Sequence, residues 1–508
     1  MYFSWLMILN LTNGLISGLI YKVIITFWFL IGFPSNQRND QSFDSPTFRA
    51  AVYEYQRFSQ KSSINQFNVK RVNLKSYAKA IQVASYHGAD LIVFPESGLF
   101  GAINRTVASL NYEYIPNANE SITPCIDWNG QSSIDSLCVH SLSCLARGFK
   151  IYVAAILGEK VNCSLSNDPN CPDHGHYLFN TQILIDSTGK LIAKYHKYHL
   201  FFEPIHNIPV EPEVVTVSTP FGKLGFLICF DINYLQPAFN LINNQSVDTI
   251  LFGAHWTDEL PFLNAHRVQS GFSIEQNVNL LASGINDLPL GAVGSGIYQA
   301  GKGPIVYTAD IMKGGSKLLI ADLPKSRHEN RSIDSRTGLV KIIEHNKIDE
   351  SDHLPYKPWT LELDLFNYTK LTQQSDNIVS CSEKICCQVN YSMTKSSFPM
   401  TYYLLVKRWI RPTTKICEQF CGLVAYNLTD YAYITTQLFN HLQLTGNFTS
   451  NQIIPSVVTN NFQLISKSTW TYIHKDNVAT INLDNNDQPL LGVTLYSRCE
   501  KDDQPINN

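Results

Sequence analysis

Apolar residues in the first two thirds of this chain come in short, nearly unbroken runs. They include FRAAVYEY from Phe48, DLIVFPE from Asp90, YVAAILG from Tyr152 and FNTQILID from Phe179. LIAKYHK from Leu191, KLGFLICF from Lys223, DTILFGAHW from Asp248 and NLLASGIN from Asn279 follow. Runs of this length predict strands, and their lack of polar alternation predicts sheets covered on both faces. Between the first two runs, Leu74, Tyr77, Ala78, Ile81 and Ala84 recur at helical spacing, with Gly88 suited to the helix end. STGK at 187–190 reads as a turn. The expected class is therefore α/β, two sheets sandwiched between helix layers over residues 45–330. Beyond Arg331 the texture changes to polar, cysteine-bearing segments with short aromatic runs such as MTYYLLVKRW, YAYITTQLF and STWTYIH. Period-two patterning there predicts a smaller, mostly β domain over 331–508, with the linker falling at about 325–360.

Residues 1–36 stand apart. An apolar run MYFSWLMILNL and a second from Val23 to Phe33 flank a polar break at Thr12 and Asn13, and no acid occurs before Asp40. Lys22 followed by a short apolar core has the form of a secretory signal cut after Phe33. The rival reading is a retained anchor, but neither run alone reaches the ~20 apolar residues a span requires. No stable span is expected after leader removal, and the polar C-terminus EKDDQPINN carries no lipid-anchor signal. A hydrophobic fraction of 44% supports packed interiors, and a net charge of -3 with both signs interspersed argues against nucleic acid as a partner.

Cysteine usage points to an oxidising compartment. Cys125, Cys138, Cys144, Cys163, Cys171, Cys381, Cys386, Cys387, Cys417, Cys421 and Cys499 fall largely in polar, loop-like stretches, where disulfides are the default. CSEKICC and CEQFC lack the paired spacing of a zinc site, so no metal is expected. Sequons at Asn104, Asn119, Asn162, Asn244, Asn330, Asn367, Asn390, Asn427 and Asn447 permit glycosylation of an exported chain.

Three polar residues end apolar runs. Glu96 closes DLIVFPE, where a carboxylate is either a tuned acid or base or a cap for the following loop. Lys197 lies in the basic stripe KYHKYHLF, either a functional cation or a solvated hairpin edge. Cys229 ends GFLIC just before Asp231. It is either an inert core thiol or a nucleophile on a strand-to-helix elbow, where helix amides and a nearby ammonium would favour an exposed thiolate. Taken together they are a base, a cation and a thiol, the equipment for cleaving an amide through a thioester.

Through GADLIVFPE, YHKYHLF and GFLICFDI the chain resembles the nitrilase superfamily of carbon-nitrogen hydrolases. Through NCSLSNDPNCPDHGHYLFNTQ, LICFDINYLQPA, GSGIY and CSEKICC it resembles the vanin and biotinidase branch. The resemblance implies an αββα sandwich followed by a β-rich domain. It implies Glu96 as general base, Lys197 as transition-state cation, Cys229 as nucleophile and Glu203 as a support that orients the lysine. It also implies Cys125–Cys144 and Cys163–Cys171 disulfides, which leaves Cys138 odd. Oxyanion donors, here the Lys197 ammonium and the Phe230 backbone N–H, are worth roughly 3 to 4 kcal/mol each. Side chains suffice for this chemistry, so no cofactor is implied, and a monomer or homodimer is expected. The segment GAHWTDELPFLNA departs from the branch, and its Trp256, Asp258 and Pro261 either shape a pocket or pack a loop. Three functions follow: hydrolysis of pantetheine to pantothenate and cysteamine, hydrolysis of biocytin or another biotin amide, or a secreted glycoprotein without turnover.

Overall fold

Alternate residues of strand β1 (Thr47–Glu54) enter two different cores. Ala50 and Val52 join the cluster between two central sheets, while Ala51 and Tyr53 face a helical layer. Double burial is why such runs show no polar alternation, and each fully buried Val, Leu or Ile contributes roughly 1.5–3 kcal/mol. The structure, a computed structural model, describes residues 45–58, 66–100, 104–128, 136–328, 339–345, 355–362, 365–394, 402–426, 437–459 and 461–504. The leader segment 1–36, Asn330 and Asn427 lie outside these residues, as does most of YAYITTQLF.

In the first sheet β1 pairs in parallel with β2 (Leu91–Val93), which pairs in parallel with β3 (Tyr152–Asn162). Strands β4 (His176–Ile185) and β5 (Leu191–His196) extend it antiparallel. The second sheet is built on β6 (Thr216–Thr219), β7 (Gly222–Ile228) and β8 (Thr249–Ala254). Beyond the short β9 (Glu259–Leu260), it adds β10 (Asn279–Gly284), β11 (Ser295–Gln299) and β12 (Gly303–Thr308). Helix α1 (Gln66–Tyr86) covers the first sheet through Leu74, Tyr77, Ala80, Ile81 and Ala84, and α2 (Leu137–Phe149) covers it beside α1. Helix α3 (Ala265–Gln276) packs against the second sheet. This is the αββα sandwich.

The α/β layers run past residue 330. After β13 (Ser316–Pro324), strand β14 (Val340–His345) adds an outer edge to the first sheet. Its sequence, VKIIEH, leaves Ile342 half exposed, so it lacks the unbroken apolar run that marks the inner strands. The segment read as a linker therefore contains a strand. Next, β15 (Trp359–Thr360) pairs in parallel with β9. The remainder is two five-stranded antiparallel sheets with Val389, Leu404, Leu423, Leu444, Ile481 and Val493 in their shared core. Disulfide Cys387–Cys421 joins the two sheets. Cys381–Cys386 closes a hairpin, Cys417–Cys499 ties the C-terminus, and Cys125–Cys144 and Cys163–Cys171 close loops of the α/β domain. Cys138 and Cys229 are free and buried. Among the described residues no helix is long and apolar enough to cross a membrane.

Candidate active site

Four strands end at one place. Glu96 follows β2, Lys197 follows β5, Cys229 follows β7 and His255 follows β8. The Lys197 ammonium, only 1% exposed, donates to Glu96 Oε1 at 2.7 Å and also to Glu203 Oε1. Its backbone is fixed as well, since Lys197 N donates to the Asn180 carbonyl at 2.9 Å. The Asn180 amide bridges the two acids, donating to Glu96 Oε1 at 2.7 Å and to Glu203 Oε2 at 2.9 Å. Two carboxylates on one –NH2 group fix which end of that amide is nitrogen. The other Glu96 oxygen accepts from His255 N at 2.8 Å. Behind Glu203, His206 Nδ1 lies 2.9 Å from Oε2, and its Nε2 meets the Tyr112 hydroxyl at 2.7 Å.

Burial opposes charge on Lys197, but Glu203 and Glu96 outweigh it and hold its pKa well above the ordinary lysine value. Glu203 is pulled the opposite way. Burial would raise its pKa, yet Lys197 and His206 keep it well below the usual carboxylate range. Lys197 is thus an obligatory cation, and a buried charge this well paired is a rigid one.

Cys229 sits on a sharp turn with φ +62°, opening the 3-10 segment Cys229–Asn233. An L-residue with a side chain holds that left-handed conformation only when its surroundings enforce it. Asp231 does so: its Oδ2 accepts from Ile228 N at 3.2 Å and from the Tyr195 hydroxyl at 2.7 Å, and its Oδ1 accepts from His199 N at 2.9 Å. The element that begins at Cys229 is a 3-10 segment rather than an α-helix. The expectation of an exposed thiolate is corrected accordingly. Cys229 is 5% exposed, and burial, then the charge of Glu96, raises its thiol pKa well above the ordinary value despite the opposing Lys197. Lys197 favours the thiolate, but burial and the charges of the two carboxylates it pairs with outweigh it. The thiol stays protonated within the field of the Glu96 carboxylate, an arrangement in which proton removal accompanies attack.

Glu96, Lys197, Cys229 and Glu203 come together, and Phe230 directly follows the cysteine. Asn180, Asp231, His206 and Tyr112 are added by the structure. Only Asn180 left a signal, as a polar residue inside the apolar run FNTQILID. Trp256, Asp258 and Pro261 belong to the loop after β8. Trp256 Nε1 donates to Leu263 O at 2.9 Å, and buried Asp258 accepts from Tyr356 Oη at 2.6 Å and Ala265 N at 2.7 Å.

A thiol, a carboxylate and an ammonium at the strand ends of an αββα sandwich define the class as a hydrolase of carbon-nitrogen bonds. The carbon-nitrogen hydrolase domain matches residues 56–272 and the Vanin C-terminal domain residues 356–503. Pantetheinase of Bos taurus is 32% identical over 479 residues, covering 90% of this chain and 91% of that protein. Pantetheinase of Homo sapiens is 32% identical over 478 residues, covering 91% and 90%. Biotinidase of Takifugu rubripes is 30% identical over 479 residues, covering 87% and 92%. A solved amidase from Nesterenkonia sp. aligns with a TM-score of 0.40 at 18% identity, covering 56% of this chain and 93% of its own. The chain belongs to the nitrilase superfamily of carbon-nitrogen hydrolases, within the branch of vanins and biotinidases. It is an enzyme acting on linear amides other than peptide bonds.

Proposed function

We propose that this enzyme hydrolyses pantetheine to pantothenate and cysteamine, with Cys229 as nucleophile, Glu96 as general base and acid, and Lys197 as the transition-state cation. The observation that carries the roles is the Lys197 ammonium held by Glu96 and Glu203, with the Cys229 thiol near enough to feel the charges of all three. Glu96 takes the thiol proton as sulfur bonds to the amide carbon. Lys197 and the Phe230 N–H stabilise the oxyanion, an effect worth roughly 3 to 4 kcal/mol per donor. Glu96 then passes the proton to the nitrogen as the C–N bond breaks, and cysteamine leaves. Water attacks the thioester, giving its proton to Glu96, and the C–S bond breaks to release the acid and restore the thiol. Pantetheinases among its relatives favour pantetheine over the biotin amides that biotinidases' names indicate.

Export fits the chemistry of the surface. The leader-like segment, five disulfides among the described residues, and sequon asparagines that are exposed at 104, 119, 162, 244, 367, 390 and 447 support a secreted glycoprotein.

The test offers pantetheine and biocytin side by side to purified protein and to Cys229→Ala, with pantothenate and biotin measured by chromatography. Pantothenate from the wild type alone is expected. Biotin in its place would transfer the reading to the biotinidase type, and neither product would leave a glycoprotein without turnover. Full activity in the alanine variant would remove the nucleophile.

A further inference from the structure

A row of aromatic rings leads away from the cysteine, and its far end belongs to the C-terminal segment of the chain. Phe230, bonded to Cys229 through the backbone, lies 4.8 Å from the Phe201 ring centroid. Phe201 is itself tied to the charged centre, its N–H donating to Glu203 Oε1 at 3.4 Å. The Trp359 ring is 6.0 Å from Phe201 and 6.0 Å from Phe202. Exposure rises along the row, from 9% at Phe230 to 46% at Trp359 and 58% at Phe202.

Large rings left open to water need a reason, and a flexible tail would not hold one in register with a site. Trp359 is fixed by its backbone: its N–H donates to Asp258 O at 2.9 Å, Leu361 N donates to Leu260 O at 2.8 Å, and β15 pairs with β9. Asp258 is in turn held by Tyr356, three residues before the tryptophan. The ring is therefore a rigid platform with two torsions to lose, the kind of surface that grips a ligand at small entropic cost.

We propose that Trp359, with Phe202 opposite, is a specificity-determining wall for the distal end of the substrate's acyl chain. The acyl part is the occupant because it stays bonded to sulfur through both half-reactions, whereas the amine departs after the first. A pantothenoyl group suits it, since the two methyls of its gem-dimethyl carbon present an apolar face, between hydroxyl groups, several bonds from the scissile carbonyl. The inference rests on the hydrolase reading above and names the part of the protein that measures acyl length.

Trp359→Ala and Trp359→Phe are compared with wild type on pantetheine and on N-acetylcysteamine, which keeps the same amine but shortens the acyl group. For alanine, kcat/KM on pantetheine should fall about tenfold, mostly through KM, with no change on the short amide, the size expected for one apolar contact. Phenylalanine should restore most of it. Equal losses on both amides would reduce Trp359 to a structural residue, and no loss on either would remove the wall; both outcomes leave the hydrolase reading standing. Wild type active on biocytin alone would sink pantetheine as substrate, and the same comparison would then be read with biotin amides of full and truncated acyl length. Inactivity on every amide would sink both proposals.

Discussion

Lys197 serves two carboxylates at once, so its removal does more than delete a catalytic charge. In Lys197→Ala, Glu96 and Glu203 would share a buried site with only the Asn180 amide between them. Breaking a buried ion pair by removing one partner costs about 3–5 kcal/mol. The expected variant is inactive and also melts well below wild type, whereas a surface charge would change neither. Steady-state turnover and a thermal melt check both parts. Glu96, Lys197 and Cys229 each follow an apolar run, but each alone reads equally as a structural residue, and it is the three segments together that mark a candidate site. Asn180 was visible as polar but not as special, since Thr181 and Gln182 beside it are equally buried. His206 and Tyr112 lie in segments with no periodicity, and nothing local in the sequence tells which loop residues will stack behind a carboxylate.

Among the elements, the turn after β7 does the most for function, because it holds an L-cysteine at positive φ. Asp231 satisfies three donors around that turn while buried, and burial lifts its pKa from 3.8 to about 7. The sign follows from proton counting. Between those values the folded protein holds a proton that the unfolded chain has released, so this group's contribution to stability falls as pH rises from about 4 to about 7. Asp231→Asn fixes the neutral form and should flatten that share of the slope, read as melting temperature across pH 4 to 8. Its amide also sets a donor against donors, so turnover should drop as the turn loosens. An unchanged slope would mean Asp231 is ionised throughout. Strands of this sandwich were legible for the same reason they are stable, namely burial on both faces. The edge strand β14 was not, because one face meets water. Helix α1 starts at Gln66, eight residues before the first apolar position read as helical, Leu74, and Ala80 rather than Ala78 completes its buried face, a choice that helical spacing alone leaves open.

Taken whole, the molecule uses its C-terminal domain as a brace for the loop between β8 and α3. Arg411 donates to Glu259 through Nη1 at 3.0 Å and Nη2 at 2.8 Å, and to Glu418 through Nε at 3.0 Å, all in a site only 7% exposed at the arginine. Glu259 is on β9, the strand that carries β15 and so the Trp359 ring, while His255 at the start of the same loop donates to Glu96. Sequence reading placed a β domain here but not this contact, because its partners are 152 residues apart and an Arg in MTYYLLVKRWIR reads as a strand end. Arg411→Ala leaves two buried acids facing each other, and a loss of about 3–5 kcal/mol is expected by denaturant unfolding. Adding Glu259→Gln removes one of those charges and should recover part of that stability. The catalytic consequence separates brace from mere glue. If the loop is held from outside, the single variant should lose kcat/KM on pantetheine at temperatures where it is still fully folded, and the double variant should regain stability without regaining rate, since the tie to β9 is still broken.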